Sequence, residues 1–143
     1  MKRVLALTYL LIAACAQTSA LPQSVRRENA PGAATFEFYH ETHQESFRAR
    51  TSDPELIARL RTELALPMGE RTLHPHGALR RSTGGENAPW HWSYIDSEWT
   101  LGFFSTEFCD GWPSEVEGDL DEWVDHVKAF CPYNSRVAAE IAG

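Results

Sequence analysis

Basic charge is scarce in this chain. Thirteen lysines and arginines stand against twenty aspartates and glutamates, a formal charge of −7, and a net-acidic domain is repelled by phosphate backbones. Nucleic acid is therefore excluded as a general partner. Long apolar runs are missing as well. The run at residues 4–14 holds eleven residues, whereas a helix crossing a bilayer needs about 20. The calcium-loop pattern Asp-x-Asp-x-Asp-Gly does not occur, which removes an EF-hand. Cysteine is limited to three residues with no second close pair, a poor basis for a zinc site.

What remains is an ordinary globular composition, 43% hydrophobic and 23% charged over 143 residues. That suits one domain with a modest core. Lys2 and Arg3 followed by the apolar run read as a targeting segment. Two processing routes fit it. Thr18-Ser19-Ala20 offers a signal-peptidase site, giving a signal peptide of residues 1–20, while Ile12-Ala13-Ala14-Cys15 resembles a lipobox, giving a lipoprotein signal of residues 1–14 and a lipidated Cys15. Export would leave Cys109 and Cys131 as a pair in an oxidising compartment. A bridge across their 22 positions stabilises by about 3 kcal/mol in the chain-entropy model. The alternative is two buried free thiols.

Residues 21–34, with Pro22, Pro31 and Gly32, lack an apolar period and read as a flexible tether. From Thr35 the alternation of Phe36, Phe38 and His40 predicts a strand, and residues 46–51 alternate again. The polar residues 42–45 form either a hairpin turn or a break in one strand. Ser52 or Asp53, Pro54 and Glu55 start a helix, with Ser52 and Glu55 as its capping box. Leu56, Ile57, Leu60 and Leu64 give that helix its buried side. A strand is expected around residues 77–79 and a loop at 82–89. Trp90, Trp92 and Tyr94 share the face of a further strand, Asp96 to Glu98 turn the chain, and residues 99–104 return. A short strand at 107–109 precedes a last helix, capped by Ser114 and Glu117 and buried through Val116, Leu120, Trp123, Val124 and Val127.

The strings Asn87-Ala88-Pro89-Trp90-His91-Trp92, Phe108-Cys109-Asp110, Pro113-Ser114-x-Val116-Glu117 and Phe130-Cys131-Pro132-Tyr133-x-Ser135-Arg136 follow one another in order. Together with residues 51–57 and Gly77, they resemble the N-terminal-domain family of the cyclic-AMP-inducible prespore protein over residues 35–141. The resemblance implies a compact α+β module, small exported bacterial relatives and no catalytic mechanism. The fold expected is α+β: a small antiparallel sheet of about five strands, packed by two amphipathic helices and tied by one disulfide. Residues 35–143 would form its single globular domain.

Candidate chemistry is sparse. His40 and His43 in His-Glu-Thr-His have a spacing that pairs ligands on a helix, but on a strand they point to opposite faces. His74, His76 and His91 are the candidate metal ligands, with Asp110, if the strands bring them together; ordinary imidazoles are the alternative. Ser93 or Ser114 would need a positioned histidine to act as a nucleophile. The acids between Glu107 and Asp125 read as a solvated helix face, and the arginines of the first half should pair with them across the fold. Trp92, Trp99, Phe103 and Trp123 are assigned to the core. Trp90 and Trp112 flank loops and are the candidates for exposure. The expectation is thus a non-enzymatic binding module, exported or envelope-anchored, with Asn87, Trp90, His91, Asp110 and Trp112 as ligand-binding residues. The partner would be an extracellular or envelope protein or glycan, with no cofactor and with membrane contact only through a lipid on Cys15. An inhibitor of an extracellular enzyme and a small metal-dependent hydrolase are the other readings.

Overall fold

Residues 32–142 are described by the computed structural model. The signal segment, Cys15 and all but the end of the tether lie outside the described residues. Strands β1 (Ala34–His40) and β2 (Glu45–Thr51) form an antiparallel hairpin in register from Ala34↔Thr51 to His40↔Glu45. The period-two pattern does what it predicts: Phe36, Phe38, Phe47 and Ala49 are buried between half-buried or exposed neighbours.

The sheet is not a single one of about five strands. Six strands form two three-stranded antiparallel sheets, β2-β1-β6 and β4-β3-β5, with β3 at His74–Arg81, β4 at Trp92–Gly102, β5 at Ala129–Phe130 and β6 at Ser135–Ile141. Aromatic side chains join the two sheets. Phe47 meets Trp92 at 5.6 Å and Phe130 at 5.7 Å, and Phe38 meets Trp99 edge-on at 5.9 Å. Such pairs add about 0.5–1.5 kcal/mol each beyond their buried area. Two indole N–H groups reinforce the join, Trp99 Nε1 donating to the Arg50 carbonyl at 2.9 Å and Trp90 Nε1 to that of Ser46 at 2.8 Å.

Residues 92–102 do not turn back at Asp96. They form one strand in which Gly77 opposes Trp99 while Leu79 opposes Tyr94, so residues 95–98, polar from Asp96 onward, bulge out of a ladder that continues. Asp96 in that bulge accepts from Ser52 N at 2.8 Å. Ser52 is thereby taken from the expected capping box, and Asp53 caps α1 (Pro54–Leu64) through Glu55 N at 2.9 Å. At the bulge the strands touch so closely that a Cβ on Gly77 would lie 2.2 Å from Trp99 Cβ. Pro75 is tolerated in the middle strand because β5 pairs only with Gly77 and Ala78.

Leu56, Ile57 and Leu60 bury α1 against β6 and β4. Its end is held by Arg71, which donates to the carbonyls of Leu64, Leu66 and Val137. The expected short strand at 107–109 is a turn, and the C-terminal strand β6 has no counterpart among the expected elements. The last helix breaks in two. Helix α2 (Pro113–Gly118) ends where Asp119 takes φ −146°, and α3 (Glu122–Val127) is π-wound and closed by Lys128 at φ 61°. Gly118 is the last residue of α2. Cys109 and Cys131 form the disulfide, with Cα atoms 5.2 Å apart. Among the described residues no helix is long and apolar enough to cross a membrane.

Candidate functional site

The turn at residues 41–44 sets the geometry of one end of the fold. Gln44 takes φ 57°, its N–H bonds the His40 carbonyl at 2.8 Å, and Glu41 N–H bonds the Asn134 carbonyl at 2.9 Å. His43 is folded back so that its N–H donates to His40 Nδ1 at 3.2 Å and the two rings lie 5.1 Å apart. The opposite-face expectation fails because the strand ends at His40 and the tight turn returns His43 to the same side.

His43 then stacks on Trp112, with centroids 4.1 Å apart and planes 5° from parallel. Between the turn and the segment after the disulfide lies a cleft of about 230 Å³, lined by His40, Thr42, His43, Asp110, Gly111, Trp112, Glu115 and Asn134. The bridge fixes one wall. Cys131 N–H donates to the Cys109 carbonyl at 2.7 Å, and Asp110 Oδ1 accepts from Gly111 N at 3.0 Å and Tyr133 N at 2.8 Å. Glycine at position 111 leaves room for both neighbours, because a Cβ there would sit 2.7 Å from Glu115 Oε2 and 2.9 Å from Trp123 Cη2 and the two side chains would have to shift. Burial, followed by the nearby His43, lowers the pKa of His40 and keeps it neutral.

The loop expected at residues 82–89 runs from 82 to 91 and adjoins this end through the start of β2. Trp90 bonds Ser46, Ser114 N donates to Glu45 Oε2 at 2.9 Å, and His91 contacts Glu117 through Nδ1 at 2.5 Å and through its own N–H at 2.8 Å. Glu117 therefore holds His91 instead of closing a capping box with Ser114. Asn87 is 1% exposed. Its Oδ1 accepts from Arg48 N at 2.6 Å and its Nδ2 donates to the Trp92 carbonyl at 2.8 Å, so it ties the loop to β2 and β4. Asp110 and His91 are exposed, and Trp90 and Trp112 are half-buried. Trp92, Trp99 and Trp123 are buried as expected, whereas Phe103 is 62% exposed and outside the core.

His74 and His76 come together, their rings 4.4 Å apart. Burial, then the neighbouring His76 and Arg136, lower the His74 pKa to about 4, and burial lowers that of His76. His91 is not with them. His74 pairs with Gly102 at one end of β3 while Arg81 pairs with Trp92 at the other, roughly 23 Å away at about 3.3 Å per residue. Among the described residues no three His, Cys, Asp or Glu side chains are placed to hold a metal ion. Ser93 is buried with its Oγ accepting from Arg80 at 3.1 Å. Of the arginines, Arg81 pairs with Asp125 at 2.8 Å in the acidic stretch, while Arg48 and Arg61 pair with Glu37 and Glu140.

The family model of the BP-74 N-terminal domain matches residues 32–143, and the chain belongs to that family. The match takes in every motif of the resemblance. No curated protein and no solved structure matches the chain.

Proposed function

We propose that this member of the prespore-protein N-terminal-domain family is a non-enzymatic binding module working outside the cytoplasm, secreted or held at the envelope. Its partner, an extracellular or envelope protein or glycan, is received at the cleft between the β1–β2 turn and residues 110–115. One observation carries the reading: Trp112, a large half-buried aromatic, packs on the exposed His43 at the cleft instead of entering the core. Aromatic surface beside a few fixed polar groups is what a recognition site needs. The scaffold behind it is braced by the disulfide and by Asn87, so little ordering is required on binding. A disulfide also suits an oxidising compartment.

A photo-crosslinking amino acid at position 112, with a control at the exposed position 58 on α1, tests this. Incubated with the extracellular fraction of a producing culture, the probe at 112 should give discrete adducts that the control does not. Identical adducts from both positions, or none from 112, defeats the proposal.

A further inference from the structure

Several acids of this fold are matched with arginines, among them Glu37 with Arg48 at 3.2 Å, Glu140 with Arg61 at 2.7 Å and Asp125 with Arg81 at 2.8 Å. The two acids of the cleft are not. No ion pair among the described residues includes Asp110 or Glu115. Glu115 lines the cleft, and its Oε2 is buried without any hydrogen-bond partner among those residues, an arrangement that costs free energy. Asp110 uses Oδ1 for two backbone N–H groups, and its other oxygen takes part in no hydrogen bond among the described residues.

No lysine or arginine lines the cleft to offset these acids. His40 is 3% exposed and lines the cleft. Its Nδ1 accepts the His43 N–H, so the ring proton of the neutral form sits on Nε2, which has no hydrogen-bond partner among the described residues and adds no positive charge. Arg136 is close by in sequence to Asn134 but gives its N–H groups to the carbonyls of Arg71, Tyr133 and Ser135. The His43–Trp112 stack provides a flat aromatic wall of the kind on which a guanidinium packs. The volume of about 230 Å³ is below the roughly 300 Å³ where drug-sized pockets begin and suits a side-chain head group.

We infer that the cleft receives a cationic side chain of a partner protein, an arginine guanidinium held by Asp110 and Glu115 against the aromatic pair. The inference rests on the cleft being the binding site proposed above. The test is an NMR titration of the disulfide-bonded protein with three probes: the peptide acetyl-Gly-Arg-Gly-amide, the same peptide with neutral citrulline in place of arginine, and a methyl glucoside. The arginine peptide should give saturable shifts at the Trp112 indole and the His40 and His43 rings. The citrulline peptide should bind at least about tenfold more weakly, since charge-assisted hydrogen bonds are roughly twice as strong as neutral ones. Raising salt to about 1 M, where the Debye length is about 3 Å, should weaken the arginine peptide too. Asp110→Asn with Glu115→Gln should abolish the preference, while the amide oxygen introduced at position 110 still accepts from Tyr133 N–H. If that variant does not fold, the arginine–citrulline comparison on the native protein decides alone. Equal binding of citrulline, or binding of the glucoside alone, overturns the cationic ligand but leaves the binding site standing. Absence of shifts with all three overturns the ligand assignment and removes this support from the site.

Discussion

Asn87 offers the sharpest separation of recognition from architecture, because a residue named as ligand-binding from the sequence is 1% exposed and bonded at both ends of its amide. Replacing it with alanine removes the acceptor for Arg48 N–H and the donor to the Trp92 carbonyl together. A buried polar group left without its partner costs about 1–3 kcal/mol. The Trp92 side of the pair is buried and the Arg48 side partly so, which puts the sum at about 2–4 kcal/mol. A domain of this size loses about 4–8 °C of Tm per kcal/mol, so Asn87→Ala should melt roughly 8–30 °C lower. Asn87→Asp should be at least as damaging, since it keeps Oδ1 but turns a carboxylate oxygen toward the Trp92 carbonyl. Urea unfolding followed by tryptophan fluorescence measures both, with an unchanged slope showing that the same surface is exposed. A loss below about 1 kcal/mol for Asn87→Ala would refute the reasoning, because the amide would then be replaceable by water.

Gly77→Ala should destabilise by at least the roughly 1–3 kcal/mol of an overpacked core, since its Cβ would meet Trp99 Cβ at 2.2 Å and Cα at 2.6 Å, both fixed by the strand; a urea midpoint within error of the parent would contradict the close approach. Reducing the Cys109–Cys131 bridge should lower stability by about 3 kcal/mol in the chain-entropy model, read as a shift in urea midpoint with and without reductant. The pH response follows from His74, whose pKa falls from 6.5 to about 4 on folding. Between those values the unfolded chain binds a proton that the folded chain refuses, so the His74 contribution should lower stability as pH falls through that window and stop changing below about 4. Urea midpoints at three pH values check it, and His74→Phe should flatten part of the slope; an unchanged slope in that variant would assign the acid sensitivity to other groups.

Wherever the local pattern and the tertiary partner agree, the sequence is readable. The alternation of Phe36, Phe38, Phe47 and Ala49 and the helical spacing of Leu56, Ile57 and Leu60 both mark a buried side directly. The failures have a common cause. Asp96, Ser97 and Glu98 have turn chemistry, and a wide bulge uses that chemistry as readily as a turn does. Ser52 and Ser114 look like caps, but the first is claimed by Asp96 and the second presents its N–H to Glu45, from 44 and 69 positions away. The acidic helix reads as continuous because its apolar period survives the break at Asp119. Strand β6 is hidden because Ala138 and Ala139 carry no alternation signal strong enough to mark an edge strand.

The site follows the same logic in reverse. Trp112 and Asp110 are legible as loop residues beside a cysteine, yet their partners are not, because His43 reaches Trp112 only after a turn with Gln44 at positive φ has reversed the chain. Glu45 and Ser46, plain polar residues at the start of β2, fasten both loops, one through Ser114 and the other through Trp90. Neither carries a motif, and a single-sequence reading has no signal that would select them. Their role is set by position: they begin the strand that carries Phe47 and Ala49 into the core. The placement of the loops is therefore coupled to the packing of the two sheets. Changes at Glu45, which does not itself line the cleft, should move the cleft wall, since Ser114 N–H would lose its acceptor at the first turn of α2.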